Sequence, residues 1–553
     1  MKRASLIAKL KQEPFDLLVI GGGATGAGVA LDAATRGMKV ALVERDDFAS
    51  GTSSRSTKLI HGGVRYLEQA VKKFDRGQFA LVRDALHERA TLLQLAPHLT
   101  RPLPLVTPLY NWFGIPYYRV GLKLYDWLAG KRNLSPSRYL SAKEALKNFP
   151  MLKAKGLRGG VLYYDGQFDD ARMNVSLALT ANEKGAACVN HVQVLELLKE
   201  GDRLSGAKVR DRESGESFEI KARVLINATG PFVDSLRKMD DPHCEPMLRA
   251  SSGIHIILHQ RFSPPATGLL IPKTEDGRVL FLLPWLGHTL VGTTDNPAQI
   301  EANPKPSEED IQYILRHLEK YFDIPVQRED VLAAWSGLRP LVSNPKASDT
   351  AKLSRDHVIH ISPSGLLTIT GGKWTTYRKM AIDAVDQAVK LGKFENIPPS
   401  QTETTPLVGA ANYSGGLIQN LIDQAGMPAD VAQHLVRAYG DRAPKIAEIA
   451  RQGWGQRLSA HHPYLEAEVI YVAQEELAIS VVDVLARRMR LTFLDTQAAQ
   501  SSFPRVAQIL AEILGWDESR LEREREDFAA YLASPSGEIQ LAEQSKIAAG
   551  GRS

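Results

Sequence analysis

The sequence predicts an α/β fold in which a buried parallel sheet and further short strands share roughly the first 400 residues and an all-α region follows. Three observations predict it. Residues 14–46 read as strand, glycine-rich turn, helix and strand, with the apolar continuity of a buried parallel sheet. Residues 253–295 break into several short strands. Beyond Pro398, Pro399 and Pro406 the pattern changes to amphipathic helices.

Bulk properties bound the rest. A chain of 553 residues exceeds a single compact core, so two or three domains are expected. With 44% hydrophobic and 24% charged residues it reads as an ordinary folded protein. The net charge of +5 is a small excess, and no nucleic-acid partner is expected. Cys188 and Cys244 stand in no metal-like or redox-like spacing, so no metal site and a reducing compartment are expected. The segment Met1–Pro14 is basic but lacks the apolar run of a secretory signal. No stretch approaches the roughly 18 apolar residues of a membrane-spanning helix, so any membrane contact is expected to be peripheral.

The elements follow in order. The first strand is Phe15 to Ile20, the first helix Thr25 to Arg36 with Gly37 as its stop, and the second strand Lys39 to Glu44. Residues 49–66, rich in Ser, Thr and Gly, read as a loop. A long helix is expected from Gln78 to Gln94, ended by Pro97. Further strands are Arg223 to Ile226, Ile254 to Leu258, Val279 to Leu283 and Leu366 to Thr370. The last of these leads through Gly371 and Gly372 into a helix from Thr375 to Leu391, with Thr375 as a possible N-cap. In the C-terminal region, Leu465 to Glu476 and Ser480 to Arg490 read as amphipathic helices, and the tail from Ser534 as mobile.

Gly21-Gly22-Gly23-Ala24-Thr25-Gly26 fits G-x-G-x-x-G, and it sits between a strand and a helix as a dinucleotide site requires. Gly21 permits the tight turn, Gly23 the approach of a pyrophosphate, and Gly26 close packing of helix on strand. The helix N-terminus offers free N–H groups to phosphate. Glu44, 18 residues beyond Gly26 (44 − 26), is placed to accept ribose hydroxyls and to repel a 2′-phosphate. This motif does not separate FAD from NAD. A second feature, the strand end Val224-Leu225-Ile226-Asn227-Ala228-Thr229-Gly230, is a turn used by two-dinucleotide-site flavoproteins where the chain returns beside the nucleotide, and it favours FAD. Ala228, Gly230, Gly371 and Gly372 therefore join the cofactor-binding candidates, as do Thr52, Ser53, Ser54 and Lys58 of the Ser/Thr-rich loop. Whether Arg55 and Lys58 touch a flavin or only flank its loop is open at this stage.

Basic residues cluster beside these turns: Arg65 in HGGVRY, His255 in SGIH, Arg339 in SGLRP, Arg355 in SRD, and Lys373 in GGKWTTYR. Arginine suits a bidentate grip on phosphate or carboxylate.

The chain resembles the FAD-dependent glycerol-3-phosphate dehydrogenases, relatives of the D-amino-acid oxidase fold. The resemblance is carried by VIGGGATGAG at 19–28, TSSRSTKLIHGGVRYLE at 52–68, ALHERATLL at 85–93, APHL at 96–99, YDGQFDDAR at 164–172, INATGPFVD at 226–234, VGTTD at 291–295, WSGLRPL at 335–341 and GGKWTTYRK at 371–379. It implies a Rossmann-like FAD-binding domain of the D-amino-acid oxidase type with an antiparallel-sheet substrate domain, plus an all-α C-terminal domain. The expected partition is a basic N-terminal arm at 1–13, a discontinuous FAD-binding domain at 14–95, 160–240 and 345–398, a substrate-binding domain at 96–159 and 241–344, a helical C-terminal domain at 405–535 and a mobile tail at 536–553.

The resemblance implies oxidation of glycerol 3-phosphate to dihydroxyacetone phosphate by hydride transfer to FAD, with electrons passed to membrane ubiquinone or menaquinone. It places Arg65, Tyr66, His255, Arg339, Arg355, Lys373 and Thr375 at the substrate. A general base should titrate near neutrality. His255 is the first candidate and His61 the second, with Arg339 stabilising the forming alkoxide. A glycerol-3-phosphate oxidase using oxygen is the alternative reading; an amine oxidase on the same fold and a non-catalytic sensor are the others.

A bacterial-type enzyme peripheral to the cytoplasmic membrane is expected, without calcium control, since no D-x-[DN]-x-[DN]-G loop follows residue 400. The aromatic stretch Tyr110 to Arg119, followed by Lys123, Tyr125 and Trp127, and the basic arm Met1–Lys11 are the candidate membrane contacts. A homodimer is implied by the resemblance alone.

Overall fold

The computed structural model describes residues 2–62, 76–111, 114–272, 274–275, 277–342 and 357–533. The expectations placed on Arg65, Tyr66, Arg355, Trp112, Phe113, the side chains at 115–119 and the tail lie outside those residues.

A parallel sheet forms around the first strand. Its order is His357–Ile361, Leu366–Gly371, Ser217–Asn227, Phe15–Ile20, Val40–Val43 and Ala187–Val189. All but the antiparallel edge strand His357–Ile361 pair in parallel. The strands read as apolar runs because helices cover the sheet: Leu17, Leu18, Val40, Ala41 and Leu42 are completely buried. The helix Ala24–Thr35 packs between Tyr377–Leu391 and Asp170–Glu183. Gly28 lets Tyr377 lie against it, since a Cβ there would press to 2.7 Å from the ring.

A second sheet of ten strands carries the rest of the α/β part. It runs Asn296–Pro297, Leu248–His259, His288–Gly292, Leu280–Trp285, Gly268–Ile271, Thr100–Leu109, Gly159–Phe168 and Leu59–Ile60. Val331–Val342 pairs along Leu248–His259, and its register sets Trp335 opposite His255 and Arg339 opposite Ser251. All pairings are antiparallel except that of Gly268–Ile271 with Thr100–Leu109.

The basic N-terminal arm is folded: Arg3–Gln12 is a helix with Leu6 and Leu10 buried. Its cations are taken up locally, Arg3 by Asp211 at 2.7 Å and Lys11 by Glu216 at 2.6 Å.

The segment Ser480 to Arg490 is helical in part and lies inside the protein. It contains a wide π-type turn, Asp483–Arg488, and its arginines are buried. Arg488 reaches Asp47 at 2.5 Å, Arg487 reaches Asp47 at 2.7 Å and Asp483 at 2.6 Å, and Arg490 donates to the Ser54 carbonyl at 2.6 Å. A helical charge pattern normally marks a solvated face. Here carboxylates of the parallel-sheet unit supply the counter-charges, so the face is internal.

The aromatic stretch divides. Tyr125 is buried, with its hydroxyl donating to Asp165 at 2.8 Å and accepting from the Gly62 N–H at 2.9 Å, whereas Trp127 on the same helix is 73% exposed. Among the described residues, no helix is long and apolar enough to cross a membrane.

Candidate functional site

An elongated cavity of about 330 Å³ opens at the C-terminal ends of the parallel strands, where a doubly wound sheet places its ligand. Gly21, Gly23, Glu44, Thr52, Ser53, Ala228, Gly230, Gly371, Gly372 and Lys373 all border it. Residues 20–45, 228–239 and 369–380, far apart in sequence, thus meet around one space.

The glycine spacing has a steric reason. Gly21 stands at φ +111°, and a Cβ there would lie 2.6 Å from the Ala228 carbonyl oxygen. A Cβ on Gly26 would run into the carbonyl oxygen of Gly21. Gly26 therefore sets how closely the helix meets the strand but does not border the cavity. No side chain caps the helix at Gly23. Only the Ala24 N–H is taken, by Ser53 Oγ at 2.9 Å. The remaining first-turn N–H groups suit a phosphate.

Glu44 projects from the end of the second strand, as expected. Its Oε2 accepts from the Gly22 N–H at 2.7 Å and its Oε1 from the Asp46 N–H at 2.9 Å. Burial and the nearby Asp46 carboxylate push its pKa up. Each oxygen keeps a lone pair for a ribose hydroxyl. The uncapped helix end, the glycine-lined approach and the carboxylate together fit an FAD dinucleotide.

Two loop residues expected at the cofactor point elsewhere. Lys58 is completely buried away from the cavity, bonded to Asp170 at 2.6 Å and to the Ser54 carbonyl at 2.7 Å. Burial pulls its ammonium down to about 7 against the attraction of Asp170. Ser54 is also buried and serves through that carbonyl, which Arg490 shares. Arg55 faces the second sheet, donating to Ser336 O at 2.9 Å and Asn303 Oδ1 at 2.7 Å, in space left by Gly337. Thr375 is buried within a 3₁₀ turn, Trp374–Thr376, and Thr376 instead precedes the helix, with no side-chain cap. Trp374 ties the turn to the loop by donating from Nε1 to Ser53 O at 2.9 Å.

The substrate candidates centre on the paired strands Leu248–His259 and Val331–Val342. The His255 imidazole stacks on Trp335, with centroids 5.5 Å apart and planes 16° from parallel. Gly292 on the other neighbouring strand is required there, since a Cβ would run into the ring. Thr57 Oγ1 meets His255 Nε2 at 3.0 Å, while Nδ1 is buried with no hydrogen-bond partner among the described residues.

Burial, Lys58 and Arg339 hold His255 well below the ordinary histidine range. Apolar and cationic surroundings thus disfavour the protonated ring relative to an ordinary histidine.

Arg339 is fixed by the Thr294 carbonyl at 2.9 Å, the Ser252 carbonyl at 3.2 Å, Thr293 Oγ1 at 3.2 Å and Asp295 at 3.4 Å. A Cβ on Gly253 would strike its guanidinium. Pro340, the next residue, borders the dinucleotide cavity. His61 follows the short strand Leu59–Ile60, half-buried at the far edge of the second sheet. Sequence reasoning missed Thr57, Asp170, Trp335 and the cavity residues Gln193, Phe232 and Met239. Thr57, Asp170, Trp335 and Phe232 carried a signal, standing in stretches already singled out at 52–68, 164–172, 335–341 and 226–234; Gln193 and Met239 carried none.

Residues 16–378 match the family described as FAD dependent oxidoreductase, and residues 400–521 match the C-terminal domain of alpha-glycerophosphate oxidase. The chain is similar to the mitochondrial glycerol-3-phosphate dehydrogenase of Mus musculus, with 50% identity over 557 residues, 98% of this chain and 76% of the relative. The corresponding Arabidopsis thaliana protein is 49% identical over 96% of this chain and 88% of its own length. Among solved structures, the glycerol-3-phosphate dehydrogenase from Bacillus halodurans complexed with FAD superposes with a TM-score of 0.79 and 30% identity, covering 96% of this chain and 97% of that one. The L-alpha-glycerophosphate oxidase from Mycoplasma pneumoniae, with FAD bound, shares the fold at a TM-score of 0.54 and 19% identity, covering 71% of this chain and 98% of that one.

Proposed function

Because the chain belongs to the FAD-dependent oxidoreductases, among the glycerol-3-phosphate dehydrogenases, we propose that it oxidises sn-glycerol 3-phosphate to dihydroxyacetone phosphate on FAD and passes the electrons to a membrane quinone. One observation carries this reading. Pro340 lines the dinucleotide cavity, and the adjoining residue Arg339 belongs with His255 to one pair of strands. A polar, partly cationic substrate site therefore adjoins the dinucleotide cavity.

FAD supplies the hydride acceptor for the C2 hydrogen. The protein must hold the alcohol beside it and take up the hydroxyl proton. His255 is neutral, is oriented by Thr57 at Nε2 and carries an unpartnered Nδ1, so it can receive that proton. Arg339 cannot act as a base, and its fixed guanidinium stabilises developing negative charge. Lys373 borders the cavity and, with Thr375, Arg65, Tyr66 and Arg355, is assigned to the phosphate and glycerol groups. His61 is retained as the second candidate base.

The oxidase alternative is not favoured: relatives at 49–50% identity are dehydrogenases, whereas the oxidase is similar at 19%. The parallel-sheet unit binds FAD, the second sheet the substrate, and the enzyme works peripherally at the cytoplasmic face of the membrane. Exposed Trp127 and, one turn earlier, Lys123 are membrane-contact candidates, with the basic segment Met1–Lys11 as the second. A homodimer completes this reading.

The test is anaerobic bleaching of the flavin by glycerol 3-phosphate. Wild-type protein bleaches, and His255→Ala slows bleaching by roughly 10²- to 10⁴-fold. Unchanged reduction in H255A removes His255 from the chemistry; a wild-type flavin that the substrate leaves oxidised removes the activity itself.

A further inference from the structure

We propose that Phe493, supplied by the C-terminal helical region, is a positioning residue that holds the His255 imidazole in its working orientation through Trp335. The proposal rests on the reading of His255 as the proton acceptor. It gives the helical region a part in the reaction.

Three rings are in contact in series, the first pair stacked and the second edge-on. His255 lies on Trp335 nearly parallel, and the edge of Phe493 meets Trp335 with centroids 5.0 Å apart at 66°. On the neighbouring strand the backbone of Gly292 approaches the His255 ring, and Thr57 Oγ1 meets its Nε2. Trp335 is a side-chain surface stacked on the imidazole, and Phe493 packs against Trp335.

Phe493 is itself pinned. It is 3% exposed, in the short helix Leu491–Leu494. The Arg490 guanidinium lies 4.1 Å from its ring centroid. Arg490 is anchored in turn to the Ala486 carbonyl at 2.8 Å and, across the domain contact, to the Ser54 carbonyl at 2.6 Å. Trp285 packs on Trp335 from another direction at 6.2 Å.

The stack also governs the electrostatics of the base. The charged groups around it are Lys58 with its partner Asp170, Arg339 with Asp295, and, beyond Phe493, Arg490 and Arg55. Truncating Phe493 opens a space lined by polar groups as well as rings, which water can enter. Rehydration relieves the burial that depresses His255, so its protonation moves up toward the ordinary histidine range. A residue with only a structural role would change stability without moving that protonation.

The experiment is anaerobic stopped-flow reduction of the FAD holoenzyme by glycerol 3-phosphate, over roughly pH 5.5 to 8.5. It compares wild type, Phe493→Ala, Phe493→Leu, His255→Ala and Leu510→Ala, the last a fully buried residue elsewhere in the helical region. F493A is expected to lower the limiting reduction rate roughly 10- to 100-fold, with substrate affinity changed less than about threefold. Its acid limb moves upward, toward the ordinary histidine range. F493L falls between F493A and wild type, and L510A keeps the wild-type rate and limb.

A wild-type rate and limb in F493A overturns the proposal, as does an equal loss in L510A. If F493A fails to hold FAD, F493L decides: a slower rate with a raised limb supports the proposal, and wild-type values overturn it. H255A at the wild-type rate would sink the base assignment beneath it. A slow H255A beside a normal F493A would sink this proposal alone.

Discussion

Gly21→Ala tests how the first strand, its turn and the cofactor are tied together. The added Cβ would lie 2.6 Å from the Ala228 carbonyl oxygen and 2.8 Å from its carbon, about 0.8 Å inside the 3.4 Å of ordinary contact. Neither atom can swing aside, because both are backbone at the end of the neighbouring parallel strand. Holding alanine at φ +111° adds about 1–3 kcal/mol of strain. Overpacking adds a further 1–3 kcal/mol, roughly. Ala228 and Thr229 border the cavity, so relief of the clash distorts the cofactor site. If half of the total falls on FAD binding, affinity drops roughly 5- to 150-fold.

Gly37→Ala is the control. Gly37 also has a positive φ, +83°, but a Cβ there meets nothing within 4 Å. It incurs the backbone strain without the clash and should leave FAD affinity unchanged. The assay is fluorescence titration of each apoprotein with FAD, beside the flavin-to-protein absorbance ratio after purification. G21A binding FAD within about threefold of wild type would refute the reasoning.

Two further predictions concern stability. Arg172→Met strands Glu476, which Arg172 grips at 2.5 and 2.9 Å with both side chains almost fully buried; it should cost about 3–5 kcal/mol in chemical denaturation, and a loss below about 1 kcal/mol would show that Arg488, 3.5 Å from the same carboxylate, suffices. Burial and the nearby Arg172 push His98 down to about 3. The unfolded chain therefore takes up a proton that the fold refuses, and stability is lost as pH falls below the ordinary value near 6.5. Between about pH 7 and pH 5 this one group should remove about 2 kcal/mol, and His98→Gln should flatten the pH dependence of the urea midpoint by that amount; an unchanged slope would assign it elsewhere.

The sequence by itself determined the nucleotide half of the molecule. The strand Phe15–Ile20 agrees with its expectation residue for residue, and the helix Ala24–Thr35 begins and ends one residue early. The reason is that the information is local. The glycines at 21, 23 and 26 answer steric demands within a few residues, and Glu44 follows one strand later. The edge of the cavity formed by Ala228, Gly230, Gly371 and Gly372 was legible for the same reason, since each lies where a strand ends in small residues.

Only the tertiary structure decided where the charges go. Arg487, Arg488 and Arg490 have the spacing of a solvated helix face, yet Arg488 meets Asp47 across 441 residues of sequence. Lys58 was expected beside a flavin and is paired instead with Asp170. His255 was found from its motif, but its depressed protonation comes from burial, Lys58 and Arg339, which other segments supply. A glycine's conformational demand is a property of its own residue. The state of a charge or an imidazole depends on what solvates it, and in a core that is supplied by segments distant in sequence.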